Sequence, residues 1–121
     1  GAGQRARAQD LDIPAGAILR ITAEGEVPPD NPWPGNPIWA YGLRNPQGLA
    51  FRPADGVLFA GDHGPTGEWR APRIGAYDEI NIIRKGANYG WPLPAGRSSR
   101  IRCWRGSRPS RRATWRSTTA T

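Results

Sequence analysis

Three short clusters between Tyr41 and Pro92 carry the residue types that can do chemistry: Arg44-Asn45 in YGLRNPQGLAF, Gly64-Pro65 in GDHGP, and Glu79 with Tyr89 in DEINIIRKGANYGWP. A guanidinium is a planar fork of donors that matches carboxylates and carbonyl oxygens. Pro46 disfavours helical backbone at Asn45, so the pair is presented from a bend. Gly64 lets a backbone approach closely and Pro65 supplies a carbonyl without an N–H, and two such neutral carbonyls are suitable ligands for a hard cation such as Ca²⁺. Glu79 in a strand-like run and the carbonyl of Tyr89 in the loop after it could share another hard cation, with Asp78 competing for Glu79's part. Each motif alone has a plainer reading: a surface bend, a turn, a solvated strand face. His63 has the side chain usually chosen as a general base near neutral pH.

The elements that must position these clusters read as short strands. GAILRIT at residues 16–22 alternates Ile18 and the Arg20 methylenes against Ala17, Leu19 and Ile21. The segment that follows, AEGEVPPDNPWPGNP, holds five prolines, which lack the N–H a ladder needs, and is expected to be an ordered loop. Residues 38–41 form a second apolar run. Residues 48–51 and 57–60, joined through Asp55-Gly56, predict a hairpin. DEINII at residues 78–83 predicts a further strand with Asp78, Ile80 and Ile82 on one face and Glu79, Asn81 and Ile83 on the other. No stretch keeps a helical period. Short strands with Gly/Pro turns indicate an all-β sandwich, barrel or propeller, and with no internal repeat the pattern does not choose among them.

Composition sets the outer limits. The chain has 121 residues, of which Gly 16 and Pro 13 make nearly a quarter, so a large core is not expected. The formal charge of +7 is unevenly placed. Residues 93–121 contain eight arginines and no Asp, Glu or Lys, whereas the remainder carries nine basic against ten acidic side chains. Cys103 is the single cysteine, which excludes an intrachain disulfide and leaves the redox compartment open. No apolar run reaches the length of a membrane span, and GAGQRARAQD has no hydrophobic segment to act as a signal peptide.

The order RAQDLD, GAILRITAEGEVPPDNP, WAYGLRNPQGLAF, DHGP and DEINIIRKGANYGWP resembles the soluble quinoprotein sugar dehydrogenases, the glucose/sorbosone dehydrogenase family that uses pyrroloquinoline quinone (PQQ). The likeness covers roughly residues 5–94. It implies part of a six-bladed β-propeller, about two blades, in which Arg44 and Asn45 bind PQQ and the Gly64 and Pro65 carbonyls hold the Ca²⁺ that also binds the cofactor. Glu79 and Tyr89 then correspond to a structural Ca²⁺ site. It also implies an aldose substrate oxidised at the anomeric carbon, an external electron acceptor, and a periplasmic or secreted parent. The family's catalytic His lies upstream of the matched region, so the resemblance assigns no catalytic residue here and makes His63 a loop residue. Between Pro65 and Asp78 this chain carries TGEWRAPRIGAY, longer than the family's usual connection. Two further readings stand beside the enzyme fragment: a noncatalytic propeller piece acting as a binding module, and a nucleic-acid-binding protein whose arginines, Trp104 and Trp115 in residues 95–121 meet phosphates and bases. That tail also reads as a disordered end without a core, or as G+C-rich DNA translated out of frame.

Overall fold

The computed structural model describes residues 2–64, 77–92 and 102–107. Ala2–Gln9 is a 3-10 helix, followed by strands β1 (Ile18–Leu19), β2 (Ile38–Ala40), β3 (Pro46–Phe51), β4 (Leu58–Asp62), β5 (Tyr77–Ile83) and β6 (Arg102–Ser107). β1 and β2 form a two-stranded sheet, and β3 to β6 form an antiparallel four-stranded sheet in sequence order.

Local chemistry explains most boundaries. The β3–β4 hairpin turns at Asp55-Gly56, where Gly56 takes a φ of 70°. Its N–H donates to Arg52 O at 2.8 Å, and the Asp55 carboxylate accepts from Arg52 Nε at 2.8 Å. In the proline-rich loop before β2, asparagine side chains supply the donors that proline lacks. The Asn31 amide donates to the carbonyls of Arg20 at 3.1 Å and Asn36 at 3.0 Å, and the Asn36 amide donates to Leu11 O at 2.8 Å. That loop is ordered by side chain to backbone bonds rather than by a ladder.

Both β5 faces fall as the alternation predicts. Asn81 and Ile83 are buried, while Ile80 faces out. Ile83, Ala60, Leu43 and Tyr89 meet Ile18 and Ala40 of the small sheet, so the core lies between the two sheets. A seam of backbone bonds closes it: Gly86 N–H donates to Trp39 O, Tyr41 N–H to Ala87 O, Tyr89 N–H to Tyr41 O and Trp91 N–H to Gly42 O, all within 2.7 to 3.0 Å.

Three features differ from the sequence reading. The strand expected over residues 16–22 narrows to Ile18–Leu19, because a register shift there breaks the ladder, and beyond it the Arg20 N–H donates to Pro37 O at 2.8 Å while its carbonyl turns to the Asn31 amide. The polar lead forms a 3-10 helix, an element with no 3.6-residue signature to read. It is tied down where Ala8 O accepts the N–H of Gly42 at 2.9 Å. Within the arginine-rich segment, Arg102–Ser107 pairs with β5 as the fourth strand.

Candidate functional site

The Arg44-Asn45 bend sits at the mouth of β3 and is fixed by a buried carboxylate. Asp62, the last residue of β4, accepts the backbone N–H of Asn45 at 2.7 Å and that of Arg44 at 3.1 Å. The ladder resumes at once, with His63 N–H donating to Asn45 O at 3.0 Å. A carboxylate receiving two successive amides is how an Asp clamps a turn, and charge-assisted bonds of this kind are stronger than neutral ones. Burial nevertheless dominates and pushes the Asp62 carboxyl above its ordinary value; the two amides oppose that shift, and the Glu79 charge adds to it.

The Arg44 guanidinium reaches across the chain reversal. Its Nη1 donates to Gly64 O at 2.8 Å and His63 O at 3.0 Å, and its Cζ lies over the Trp91 ring, 5.6 Å from the centroid. Two carbonyls thus converge on a cation, against an aromatic wall. Asp78, at the other strand end, accepts from Gly64 N–H at 3.0 Å and stands 3.1 Å from His63 Nδ1, so His63 is held as a loop residue. Beside this group opens a cleft of about 260 Å³ lined by Gln47, Gly48, Gly61, Asp62, His63, Asp78, Glu79 and Ile80. A Cβ at either glycine would meet open space.

Of the residues singled out from sequence, Arg44, Asn45 and Gly64 come together, and Glu79 joins them through its register pairing with Asp62. Pro65 lies outside the described residues, as does the TGEWRAPRIGA connection. Tyr89 is placed by its backbone bond to Tyr41, three residues before Arg44, but its side chain does another job. The hydroxyl donates to Ile82 O at 2.5 Å and accepts Arg84 N–H at 3.0 Å, bracing the far end of β5, and burial raises its pKa. Sequence reasoning missed Asp62 and Trp91. The signal for Asp62 was an acidic residue ending an apolar strand opposite a bend; Trp91 gave none, because its contact depends on the seam between distant segments.

The donor set is chemically consistent with a hard cation and an anionic group. The Gly64 carbonyl, one of the two read from the sequence as hard-cation ligands, lies here beside the Asp62 and Asp78 carboxylates, and Arg44 offers the charge an anion needs. The cleft itself is lined by carboxylates, so an anion entering it requires a cation between. That is the sense in which calcium and an acidic quinone fit these residues together.

All of this describes an all-β, partial β-propeller with an open cleft, lined by carboxylates, beside the Arg44-Asn45 bend. The family model for glucose/sorbosone dehydrogenases matches residues 1–102. Over 95 residues the chain is 47% identical to aldose sugar dehydrogenase YliI of Escherichia coli, covering 74% of this chain and 23% of that protein. It is 42% identical over 96 residues to quinoprotein glucose dehydrogenase B of Acinetobacter calcoaceticus, covering 77% and 18%. The PQQ-bound aldose sugar dehydrogenase of Streptomyces coelicolor superposes with a TM-score of 0.71 at 38% identity, over 87% of this chain and 30% of that structure. The chain belongs to the glucose/sorbosone dehydrogenase family. It spans about a quarter of the length of these relatives.

Proposed function

We propose that the chain is the cofactor-holding portion of a PQQ- and Ca²⁺-dependent aldose dehydrogenase, which oxidises the anomeric carbon of a sugar to a lactone and passes electrons to an external acceptor. The observation that carries this reading is the Arg44 guanidinium, held on the carbonyls of His63 and Gly64 and on the Trp91 face beside an open cleft. In this reading Arg44 and Asn45 bind the quinone, the carbonyls of Gly64 and Pro65 take the Ca²⁺ in contact with it, and Glu79 with the Tyr89 carbonyl serve a structural Ca²⁺. The parent enzyme belongs in the periplasm or outside the cell, where its relatives' chemistry would meet free sugars.

The quinone, when bound, supplies the centre that accepts hydride from the sugar. The chain's part is electrostatic and positional. Arg44 brings a fixed positive fork to the place where negative charge develops, so it stabilises the transition state more than the ground state. Asp62 holds the backbone of that bend and adds no donor of its own.

The test is a pair of variants in a full-length propeller carrying this segment. Arg44→Ala is expected to lower kcat by roughly 10²- to 10³-fold, as for the loss of one oxyanion donor, with a smaller change in sugar KM. Arg44→Lys recovers only part, since a point charge does not replace the planar fork. An Arg44→Ala protein with unchanged kcat and PQQ affinity means that Arg44 is a surface bend and the assignment is wrong.

A further inference from the structure

A pair of side-chain amides far apart in sequence is locked together behind Arg44. Asn88 Nδ2 donates to Gln9 Oε1 at 2.7 Å, and Gln9 Nε2 returns a bond to Asn88 Oδ1 at 3.1 Å. Gln9 Nε2 also donates to Trp91 O at 2.6 Å, and Asn88 Oδ1 accepts Gly90 N–H at 2.8 Å. Trp91 N–H goes to Gly42 O at 2.7 Å. Both backbone polar groups of Trp91 are therefore committed, one to Gln9 and one to the segment that leads into Arg44.

Gly42 shows how tightly this knot is packed. Its φ is 75°, and a Cβ there would collide with Asn88 Oδ1, Gly90 N and Gln9 Nε2. The amide pair consequently lies flat on the backbone two residues before Arg44, and nothing but glycine fits between them. The indole carried by this knot is the face on which the Arg44 guanidinium rests.

We propose that Gln9 and Asn88 are positioning residues for Arg44, acting through Trp91: the amide pair sets the height and tilt of the indole, and the indole, with the His63 and Gly64 carbonyls, sets the plane of the guanidinium fork. The functional consequence rests on the reading of Arg44 as the cofactor's cationic ligand; the relay itself does not. Removing the Gln9 donor frees the Trp91 carbonyl and lets the ring swing, so Arg44 keeps its charge and its bonds to the His63 and Gly64 carbonyls but loses the aromatic face that completes its orientation. Supporting groups of this kind typically change affinity at the site they orient by about tenfold or more.

The experiment uses the 121-residue chain and two readouts. A guanidinium lying over an indole face places the Arg44 side-chain protons in its ring current, so NMR reports the contact without any cofactor. Gln9→Glu, which has the same size but at neutral pH no donor for Trp91 O, is expected to lose the upfield shift of the Arg44 protons as fully as Trp91→Leu does. The methyl shifts of Ile18 and Ile38 in the core stay in place. Gln9→Ala serves as the second variant if those core shifts show that Gln9→Glu has not folded. An Arg44 shift retained in the folded Gln9 variant overturns the relay. PQQ titration with Ca²⁺ in excess, followed by tryptophan quenching, gives the second readout. An affinity about tenfold weaker in Gln9→Glu, with Arg44→Ala weaker still, supports relay and ligand role together. A lost ring-current shift with unchanged PQQ affinity in both Gln9→Glu and Arg44→Ala supports the relay and overturns the reading of Arg44 instead.

Discussion

At the scale of single residues, Asp62 is the group whose behaviour should be most visible in solution. Its carboxyl is held above 3.8 chiefly by burial, so the folded chain binds a proton in the range where the unfolded chain has released it. Stability therefore falls as pH rises from 3.8 through the raised folded value, and the cost of the buried charge is then complete. Asp62→Asn removes that titration but also turns one acceptor toward Arg44 and Asn45 into a donor. Denaturant midpoints measured from pH 3 to 7 with chelator present should show the wild type losing stability relative to Asp62→Asn across this window; parallel profiles would mean that Asp62 does not titrate there. What was legible residue by residue is the neighbourhood: Arg44, Asn45 and Gly64, singled out from separate motifs, lie together, with Arg44 donating to Gly64 O. Asp62 was not singled out because a carboxylate that clamps a bend looks, in sequence, like any strand-ending Asp. Tyr89 was read for its carbonyl, while its ring turns out to be a strut between Ile82 and Arg84.

At the scale of elements, the hairpin and β5 were readable because each is set by local chemistry, a Gly turn with positive φ in one case and strict alternation in the other. β6 was not, since arginine-rich sequence with no apolar alternation gives no strand signal and its pairing depends on β5 as a template. The 3-10 helix was equally silent. Alternation also identifies a weak point. Asn81 sits on the inward face of β5 opposite Ala60, 1% exposed, and neither its Oδ1 nor its Nδ2 has a hydrogen-bond partner among the described residues. An unmade buried bond costs on the order of 1–3 kcal/mol, so Asn81→Leu, close in size and without polar atoms, is expected to stabilise the chain by about 1 kcal/mol. Urea unfolding checks it. A loss of stability would show that the amide is satisfied in solution.

At the scale of the whole molecule, the sheet is incompletely covered. Leu49 and Phe51 stand in register with Ala60 and Leu58 and so face the same side as the core, yet they are 58% and 70% exposed, because the small sheet does not extend beneath β3. In a propeller each blade lies against its neighbours, and a blade edge left open keeps its apolar surface. The chain is expected to associate with itself through this edge. Leu49→Thr with Phe51→Thr, which retains strand-forming residues, should abolish concentration-dependent association in sedimentation experiments. Unchanged association in the double variant would place the contact elsewhere. The charge asymmetry belongs to this scale too: residues 1–92 carry nine basic against ten acidic side chains, and the excess of arginine lies in residues 93–121, from which the sheet takes its fourth strand.

The seam joining residues 39–42 to residues 86–91 also sets an order of events in time. The β3–β4 hairpin closes a short loop and can form within microseconds, whereas the seam must close a loop of more than forty residues before it gains its first bond. Trp91 reaches Arg44 only after that closure. The chain should therefore acquire its hairpin early and its arginine geometry last, and the same step is the first to reverse. In hydrogen exchange, the amides of Tyr41, Tyr89 and Trp91 should open together and ahead of those in β4, so the region that shapes the site is also the one that visits the solvent most often.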